Sequence, residues 1–310
     1  MKTIESLSNI KIKELLKLKN NKKYRKKERK FIIQGVRIVF EAIKQNAEIK
    51  KIFITKKCEN KIKNTPYDLS KFKDKKLDIY RISENISKKI SCVETSQGIF
   101  GVVENFTPFK KDRIQKNSLI LALFKINDPG NLGTLFRSAY SFGFEQIVLY
   151  GCCDIYNEKV IRSSMGSIFN LSFLECLDTK TFVEILTLEE VESFAATVSK
   201  NSKNSSFLQN KKGILVLGNE ANGLPRFIVS NCNHEIKIQI KNNFESLNVS
   251  CAGSILMYEM NKNNLNLVWF FMLTFILNLI LYIMCLYPQF NGINRFKRSW
   301  KFFCNCFKKF

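Results

Sequence analysis

Three short segments of the chain carry the side chains best suited to binding or acting on a small molecule. They read DPGNLGTLFRSAYSFG at 128–143, LVLGNEANGLP at 215–225 and SLNVSCA at 246–252. The segments hold turns rich in glycine, asparagine or serine beside apolar runs, and such turns let backbone amides and carbonyls approach a ligand closely. They also supply an arginine, a glutamate and several asparagines, which can bind phosphate, face a positive charge or orient a hydroxyl. The sequence therefore predicts a small-molecule site built from three turns.

In this order and spacing, the three segments resemble the signature motifs of the SpoU/TrmH family of SPOUT-class RNA methyltransferases. The resemblance covers about 25–262. It implies that the chain transfers a methyl group from S-adenosyl-L-methionine to a ribose 2′-hydroxyl of structured RNA. It also implies a deep trefoil knot, a rare exception to unthreaded topology, and a homodimer whose active site lies near the subunit interface.

The resemblance assigns catalytic roles to residues of all three motifs. Arg137 is linked to activation of the ribose hydroxyl, as a general base or as a phosphate ligand that stabilises the developing alkoxide. We favour the second role, because an arginine is effectively always charged. Glu220 is expected to brace its loop, with a charge that favours the sulfonium, and Asn131 to orient backbone or substrate. Ser246 and Asn248 are expected to orient their loop and cap the next helix; the alternative is capping alone.

The same resemblance places a second group of residues around the cofactor. Gly218 would admit the cofactor to the backbone, and Leu247 would wall the adenine pocket. The chain departs from the family at 238–240, where IQI replaces the usual Ile-Pro-Met, so that the turn loses a proline. The predicted cofactor-binding residues are Thr197, Leu217, Gly218, Ile238 and Leu247.

Composition narrows the class of protein. The 310 residues carry a formal charge of +23, which favours a polyanionic partner, although solubility and a lysine-rich, A+T-biased genome explain it equally well. The ten cysteines form no zinc-binding pattern and the single histidine is His234, so we expect no metal site. The polar, basic start resembles no secretory signal, and we expect a reduced, cytoplasmic setting.

The first third of the chain divides into three predicted parts. Residues 1–30 form a basic leader, read either as a solvated segment or as an arm that neutralises RNA phosphates. Residues 31–104 alternate strand and helix patterns and resemble the L30e-like RNA substrate-binding domain that precedes many SpoU catalytic domains. Residues 105–117 have the proline, the charge and the lack of periodicity of a linker.

From 118 to 262 apolar runs alternate with helical patterns, which predicts an α/β domain with a mostly parallel sheet. Strands are expected at 119–124 and 146–150, and a helix at 182–191; residues 158–169 resemble a further helix of the family. By resemblance this is the trefoil-knotted SPOUT methyltransferase domain.

The tail at 263–310 lies outside the family pattern and is expected to contain an apolar helix. Its segment 267–287 has no charge across 21 positions, enough to span a bilayer core, and a basic stretch follows. Three interpretations stay open: a membrane anchor, a fused or frame-shifted segment, or a tail that packs on the body.

The leading hypothesis is therefore 2′-O-methylation of structured RNA, with ribosomal RNA first and transfer RNA second. The L30e-like domain suits folded RNA, which proteins recognise largely by shape. The alternatives are a non-catalytic RNA-binding protein of the same fold, and a membrane-tethered protein driven by the tail.

Overall fold

The computed structural model describes residues 2–72, 77–104, 109–114, 117–241 and 246–262. Residues Met1–Asn261 form one compact unit. The predicted tail, with its apolar helix and possible membrane span at 267–287, lies outside the described residues. Among the helices that are described, none is both long and apolar enough to cross a bilayer.

A mixed sheet of five described strands forms the first half of the compact unit. Its order is β1-β4-β3-β5-β2, and β5 runs antiparallel to both β2 and β3 while the other pairs are parallel. The strands are β1 (Lys2–Ile4), β2 (Lys30–Gln34), β3 (Ile49–Thr55), β4 (Asp78–Ile82) and β5 (Ile99–Glu104). The helices are α1 (Ile10–Asn20), α2 (Lys22–Glu28), α3 (Val36–Lys44), α4 (Lys56–Ile62) and α5 (Glu84–Ile90).

A parallel sheet of seven described strands forms the second half, in the order β10-β12-β9-β11-β6-β7-β8. The strands are β6 (Leu119–Phe124), β7 (Gln146–Tyr150), β8 (Ser172–Cys176), β9 (Ser193–Ala196), β10 (Lys203–Asn204), β11 (Gly213–Leu217) and β12 (His234–Lys237). The helices are α6 (Pro129–Ser141), α7 (Glu158–Ser163), α8 (Thr179–Leu186), α9 (Arg226–Val229) and α10 (249–262). The predicted parallel α/β architecture is thus present, and β6 is buried along its whole length.

The first 30 residues are folded into the small module, which differs from the separate basic leader expected from the sequence. β1 extends the small sheet by pairing with β4. On α1, Ile12, Leu15 and Leu18 are fully buried in a core shared with the sheet and α5. These three apolar residues stand among lysines at intervals of three, so one helix face packs while the lysines stay near solvent.

Arg25 joins this N-terminal segment to the parallel-sheet half of the protein. Its Nη1 donates to the carbonyls of Leu18 (2.6 Å) and Lys19 (2.9 Å). Its Nε and Nη2 both donate to one carboxylate oxygen of Asp154, at 3.0 and 2.6 Å, in the loop before α7. Only 6% of Arg25 is exposed, so this ion pair is largely shielded from water.

Two other differences concern the segments between strands. The predicted helix at 158–169 stops at Ser163, because Met165 (φ 53°) and Gly166 (φ 93°) adopt left-handed backbone and a 3-10 turn follows. The helix predicted at 182–191 lies instead at Thr179–Leu186, where the Asp178 side chain caps its first turn. Within the predicted linker, Phe109 is buried and its N–H bonds to the Phe173 carbonyl at 3.1 Å.

Replacing Arg25 tests whether the two halves depend on this ion pair. We expect Arg25→Ala to lower the free energy of unfolding by about 3 kcal/mol, because it leaves the Asp154 carboxylate half-buried without its partner. The exposed neighbour Lys26 is the matched control, and Lys26→Ala should leave the urea midpoint unchanged. Equal midpoints for both variants would show that Arg25 does not stabilise the contact.

Candidate active site

Three loops meet at one edge of the parallel sheet. The loop 125–128 follows β6, the loop 218–225 follows β11, and residues 246–248 lead into α10. β6 and β11 are in-register neighbours, with Leu123 opposite Leu217 at their last residues. Ligands of open parallel sheets bind outside the carboxyl ends of the strands, so this edge is the expected place for a site.

The Glu220 carboxylate ties the β11 loop to the β6 loop. It accepts hydrogen bonds from the backbone N–H groups of Asn127 (3.3 Å) and Asp128 (3.1 Å). It also accepts from the side-chain amides of Asn131 (3.2 Å) and Asn219 (3.3 Å). Burial alone raises the pKa of this carboxyl, but the hydrogen bonds outweigh burial and leave the pKa below its usual value. Glu220 therefore stays ionised at neutral pH, as a brace and a negative charge rather than as a proton acceptor.

Asn131 extends this connection to the third loop. Its side-chain oxygen accepts a hydrogen bond from Asn248 Nδ2 at 3.0 Å. The Asn248 oxygen in turn accepts from the Ser250 N–H (2.9 Å) and hydroxyl (2.6 Å), at the start of α10. Asn248 thus caps α10 and also contacts the first motif, so capping alone does not describe its role. Glu220, Asn131 and Asn248 form a continuous chain across the three loops.

The first turn of α6 holds Asn131 in place. Asp128 is the N-cap, and its carboxylate accepts from the Asn131 N–H at 2.8 Å. The other Asp128 oxygen pairs with Lys159 Nζ of α7 at 3.1 Å. The hydrogen bond from Asn131, together with Lys159, lowers the pKa of Asp128. The sequence analysis missed Asp128 and Lys159, although an aspartate directly before a proline is a recognisable helix-start signal.

A tight turn built on two glycines shapes the β11 loop. Asn219 and Gly223 exchange backbone hydrogen bonds of 3.1 and 2.9 Å, and Gly223 has a φ of 62°. A Cβ at Gly218 would lie 2.3 Å from the Gly223 carbonyl carbon, so only glycine fits there. Asn219, which the sequence analysis did not assign, holds the turn from inside: its oxygen accepts from the N–H groups of Ala221 (3.0 Å) and Asn222 (3.1 Å).

A cavity of about 810 Å³ opens beside these loops. This volume lies within the roughly 300–1,000 Å³ of small-molecule sites. Apolar side chains and the glycine turn form much of its wall, and the Glu220 carboxylate also faces it. Such a lining fits a cofactor with a flat adenine and a sulfonium. All five residues predicted to bind the cofactor line the cavity, as does Ser246: Thr197, Leu217, Gly218, Ile238 and Leu247.

Arg137 is the one predicted catalytic residue that neither joins the Glu220–Asn131–Asn248 chain nor lines the cavity. It lies six residues beyond Asn131 on α6, about 9 Å along the helix axis. Its side chain is exposed and does not line the cavity. Within the described ranges, its guanidinium makes no hydrogen bond or ion pair. An exposed arginine with this freedom is available to a phosphate of a bound nucleic acid.

Two other kinds of chemistry find no support at this edge. Burial raises the pKa of the adjacent thiols Cys152 and Cys153 to about 12 and about 11, so both stay protonated and are poor nucleophiles. Among the described residues, no group of three histidine, cysteine or carboxylate side chains is placed to hold a metal ion.

The close backbone approach at Gly218 gives a direct test of the cavity. We expect Gly218→Val to weaken binding of S-adenosylmethionine at least about tenfold, because the valine side chain must displace the Gly223 turn. A tenfold change corresponds to a loss of about 1.4 kcal/mol in binding free energy. Calorimetric titration of the cofactor measures this effect. Gly143→Asn, a glycine replacement at positive φ away from the cavity, is the control and should bind normally. Unchanged affinity in Gly218→Val would place the cofactor elsewhere.

Comparison with known proteins supports the same interpretation. The SpoU rRNA Methylase family matches residues 118–258, and the MRM3-like substrate binding domain matches residues 9–101. The Bacillus subtilis protein named 23S rRNA (guanosine(2553)-2'-O)-methyltransferase RlmP is 30% identical over 84% of this chain and 99% of its own. The human protein named rRNA methyltransferase 3, mitochondrial, is 29% identical over 55% of this chain and 40% of its own. An AdoMet-bound rRNA methyltransferase from Sinorhizobium meliloti has the same fold, with a TM-score of 0.73 at 24% identity over 84% of this chain and 98% of its own. Because the match to the Bacillus subtilis protein runs through nearly all of that protein, this chain belongs to the SpoU rRNA methylase family.

Proposed function

We propose that this protein transfers the methyl group of S-adenosyl-L-methionine to a ribose 2′-hydroxyl of ribosomal RNA. The observation that carries the proposal is the single cluster formed by Glu220, Asn131 and Asn248 beside a cavity of cofactor size. The family fits this reaction, and the printed name of the Bacillus subtilis relative assigns that protein 2′-O-methylation of a guanosine in 23S rRNA. Ribosomal RNA is therefore favoured over transfer RNA.

Each residue of the site has a role in this reaction. The cofactor supplies a methyl group on a positively charged sulfur, and the ionised Glu220 carboxylate lines the cavity that would hold it. Asn131 and Asn248 fix the loops, and Ser246 and Leu247 form part of the wall. Fixed positions for donor and acceptor supply much of the rate in such transfers.

Arg137 acts on the RNA side. Its exposed guanidinium is suited to holding the phosphate beside the target ribose and to stabilising the alkoxide as the hydroxyl proton leaves. A role as general base would require a neutral guanidine, which is costly because arginine is effectively always charged. Electrostatic positioning is therefore the role that we assign.

A basic face on α2 supports an RNA substrate. Four of its basic side chains are exposed, and so is Arg29 directly after the helix: Lys22, Lys23, Lys26 and Lys27. Arg25 on the same helix pairs with Asp154 in the loop before α7, and this contact holds the basic face against the parallel-sheet half. RNA phosphates neutralised by this face would lie against that half of the protein.

The trefoil knot and the cellular setting belong to the same proposal. The family resemblance implies the knot, which an experimental density map traced from β12 through to α10 would test.

A ribosomal RNA substrate suits a cytoplasmic enzyme. The tail at 263–310 stays a prediction, and fractionation of cells that express the full chain distinguishes a membrane anchor from a tail without one.

Arg137 gives the kinetic test of the proposed reaction. We expect Arg137→Ala to lower the rate of methyl transfer to ribosomal RNA at least about 100-fold, in the range for loss of one donor to a developing oxyanion. Cofactor affinity should stay unchanged, since Arg137 does not line the cavity. Arg137→Lys keeps the charge and should retain part of the activity, while the exposed Arg113→Ala is the control. Normal turnover by Arg137→Ala would refute the assigned role.

We also propose a homodimer formed through α6 and α10. These neighbouring helices are linked by a 2.7 Å hydrogen bond between the Ser138 and Ser254 hydroxyls. They expose large apolar side chains, with Tyr140 43%, Ile255 39% and Tyr258 41% accessible. Exposed apolar groups of this size on adjacent helices are typical of protein interfaces.

Charge placed on this surface should separate the subunits. We expect Ile255→Lys to shift the full-length protein from dimer to monomer in sedimentation experiments, because the interface would bury an unpaired ammonium group. Leu177→Lys changes an exposed leucine that is 87% accessible and not on these helices, and it should leave the dimer intact. A wild-type protein that sediments as a monomer would contradict the proposal.

A further inference from the structure

A second cavity lies between the small module and α7. It measures about 200 Å³, below the roughly 300–1,000 Å³ of whole-ligand sites, and so suits a group the size of one base. The small module contributes Arg37, Val93 and Gln97 to its wall, and the parallel-sheet half contributes Arg162 and Met165. It shares no lining residue with the larger cavity beside Glu220.

The inner wall of this second cavity is apolar and well packed. Ile38 and Ile161 line it and are 7% and 1% exposed, respectively. Val93 and Met165 complete this wall and are half-buried. A surface of this kind accepts the flat face of an unstacked base, and proteins that read RNA commonly target such bases in loops and bulges.

Two arginines from different halves of the protein stand at its mouth. Arg37 is the second residue of α3 and Arg162 lies on α7, and both side chains are exposed. In the described part of the chain neither guanidinium makes a hydrogen bond or ion pair. Arginines with this freedom bind phosphate oxygens in a forked geometry.

Polar groups that could meet the edge of a base complete the lining. Gln97 accepts a 2.8 Å hydrogen bond from the Val36 N–H through its oxygen, which leaves its amide nitrogen to donate. Glu158 of α7 also lines the cavity. Burial raises the pKa of its carboxyl, against smaller opposing effects of Cys92 and nearby basic groups. The edge of a base carries both donors and acceptors, and this pair of side chains complements both.

We propose that this second cavity holds one unpaired nucleotide of the ribosomal RNA substrate, other than the nucleotide that is methylated. Its base lies against Ile38 and Met165, and its phosphates lie at Arg37 and Arg162. The inference rests on the proposed function, from which it takes the identity of the RNA. The same short helix carries Arg162 at this cavity and Lys159, which pairs with the Asp128 cap of α6, so a nucleotide held here places the RNA relative to the active site.

Removal of the arginines tests their binding to phosphate. We expect the double variant Arg37→Ala/Arg162→Ala to raise the KM for ribosomal RNA at least about tenfold, with kcat and cofactor affinity little changed. The slope of log affinity against log salt should fall by about 1.4, or about 0.7 for each phosphate of a single-stranded segment that an arginine no longer neutralises. Arg113→Ala is the matched control, because its carbonyl bonds to Gln146 at the start of β7, the edge of the sheet opposite the active site.

Crosslinking locates the nucleotide itself. The full-length protein is irradiated at 254 nm with total ribosomal RNA from a strain that lacks the gene, without cofactor, and crosslinked peptides are identified by mass. We expect crosslinks in peptides that contain 93–97 or 158–165, and we expect them to disappear in the double variant. Crosslinks found only in other peptides, or an unchanged KM and salt slope, would overturn the proposal.

The two proposals fail in different ways. Crosslinks at this cavity without any methyl transfer would support the nucleotide site and refute the proposed reaction. Methyl transfer with no crosslink at the cavity and no effect of the double variant would refute the nucleotide site alone.

Discussion

The hydrogen bonds accepted by the Glu220 carboxylate are the constraint on which the active site depends. They join two loops that are far apart in sequence, and they form because β11 lies directly beside β6 in the parallel sheet. Asn131 then passes the connection to Asn248 and so to α10. These hydrogen bonds lower the pKa of Glu220, so its carboxylate carries a negative charge at a fixed position. Glu220 resembles a catalytic acid of the family, but its contacts hold the loops of the site together.

The small module is joined to this site by a second set of contacts. Arg25 spans from α2 to the loop before α7, and the rings of Phe31 and Tyr156 lie 4.9 Å apart across the same junction. α7 pairs with the Asp128 cap on its catalytic side through Lys159. These short, packed contacts, rather than a flexible linker, would therefore fix the position of an RNA bound to the small module relative to the active site.

Much of the parallel sheet could be predicted from the sequence, since β6 and β7 are continuous apolar runs and their observed bounds are those predicted. The N-terminal helices were harder, because α1 buries only three apolar residues among lysines and its pattern resembles a charged leader. Helix ends depended on single residues: Met165 and Gly166 stop α7, and Asp178 starts α8. The residues of the site were suggested by family resemblance, but their contacts were not. The Glu220–Asn131–Asn248 chain requires the strand order, which spacing along the sequence does not reveal.

The chemical position of the transferred methyl group distinguishes ribose methylation from base methylation. Full-length protein is incubated with labelled S-adenosylmethionine and total ribosomal RNA from a strain that lacks the gene, and the RNA is then hydrolysed in alkali. A methylated 2′-oxygen cannot attack its phosphodiester, so ribose methylation predicts that the label survives in an alkali-resistant dinucleotide. Label recovered in mononucleotides would mean base methylation and would contradict it, as would the absence of label from RNA when cofactor binding is intact.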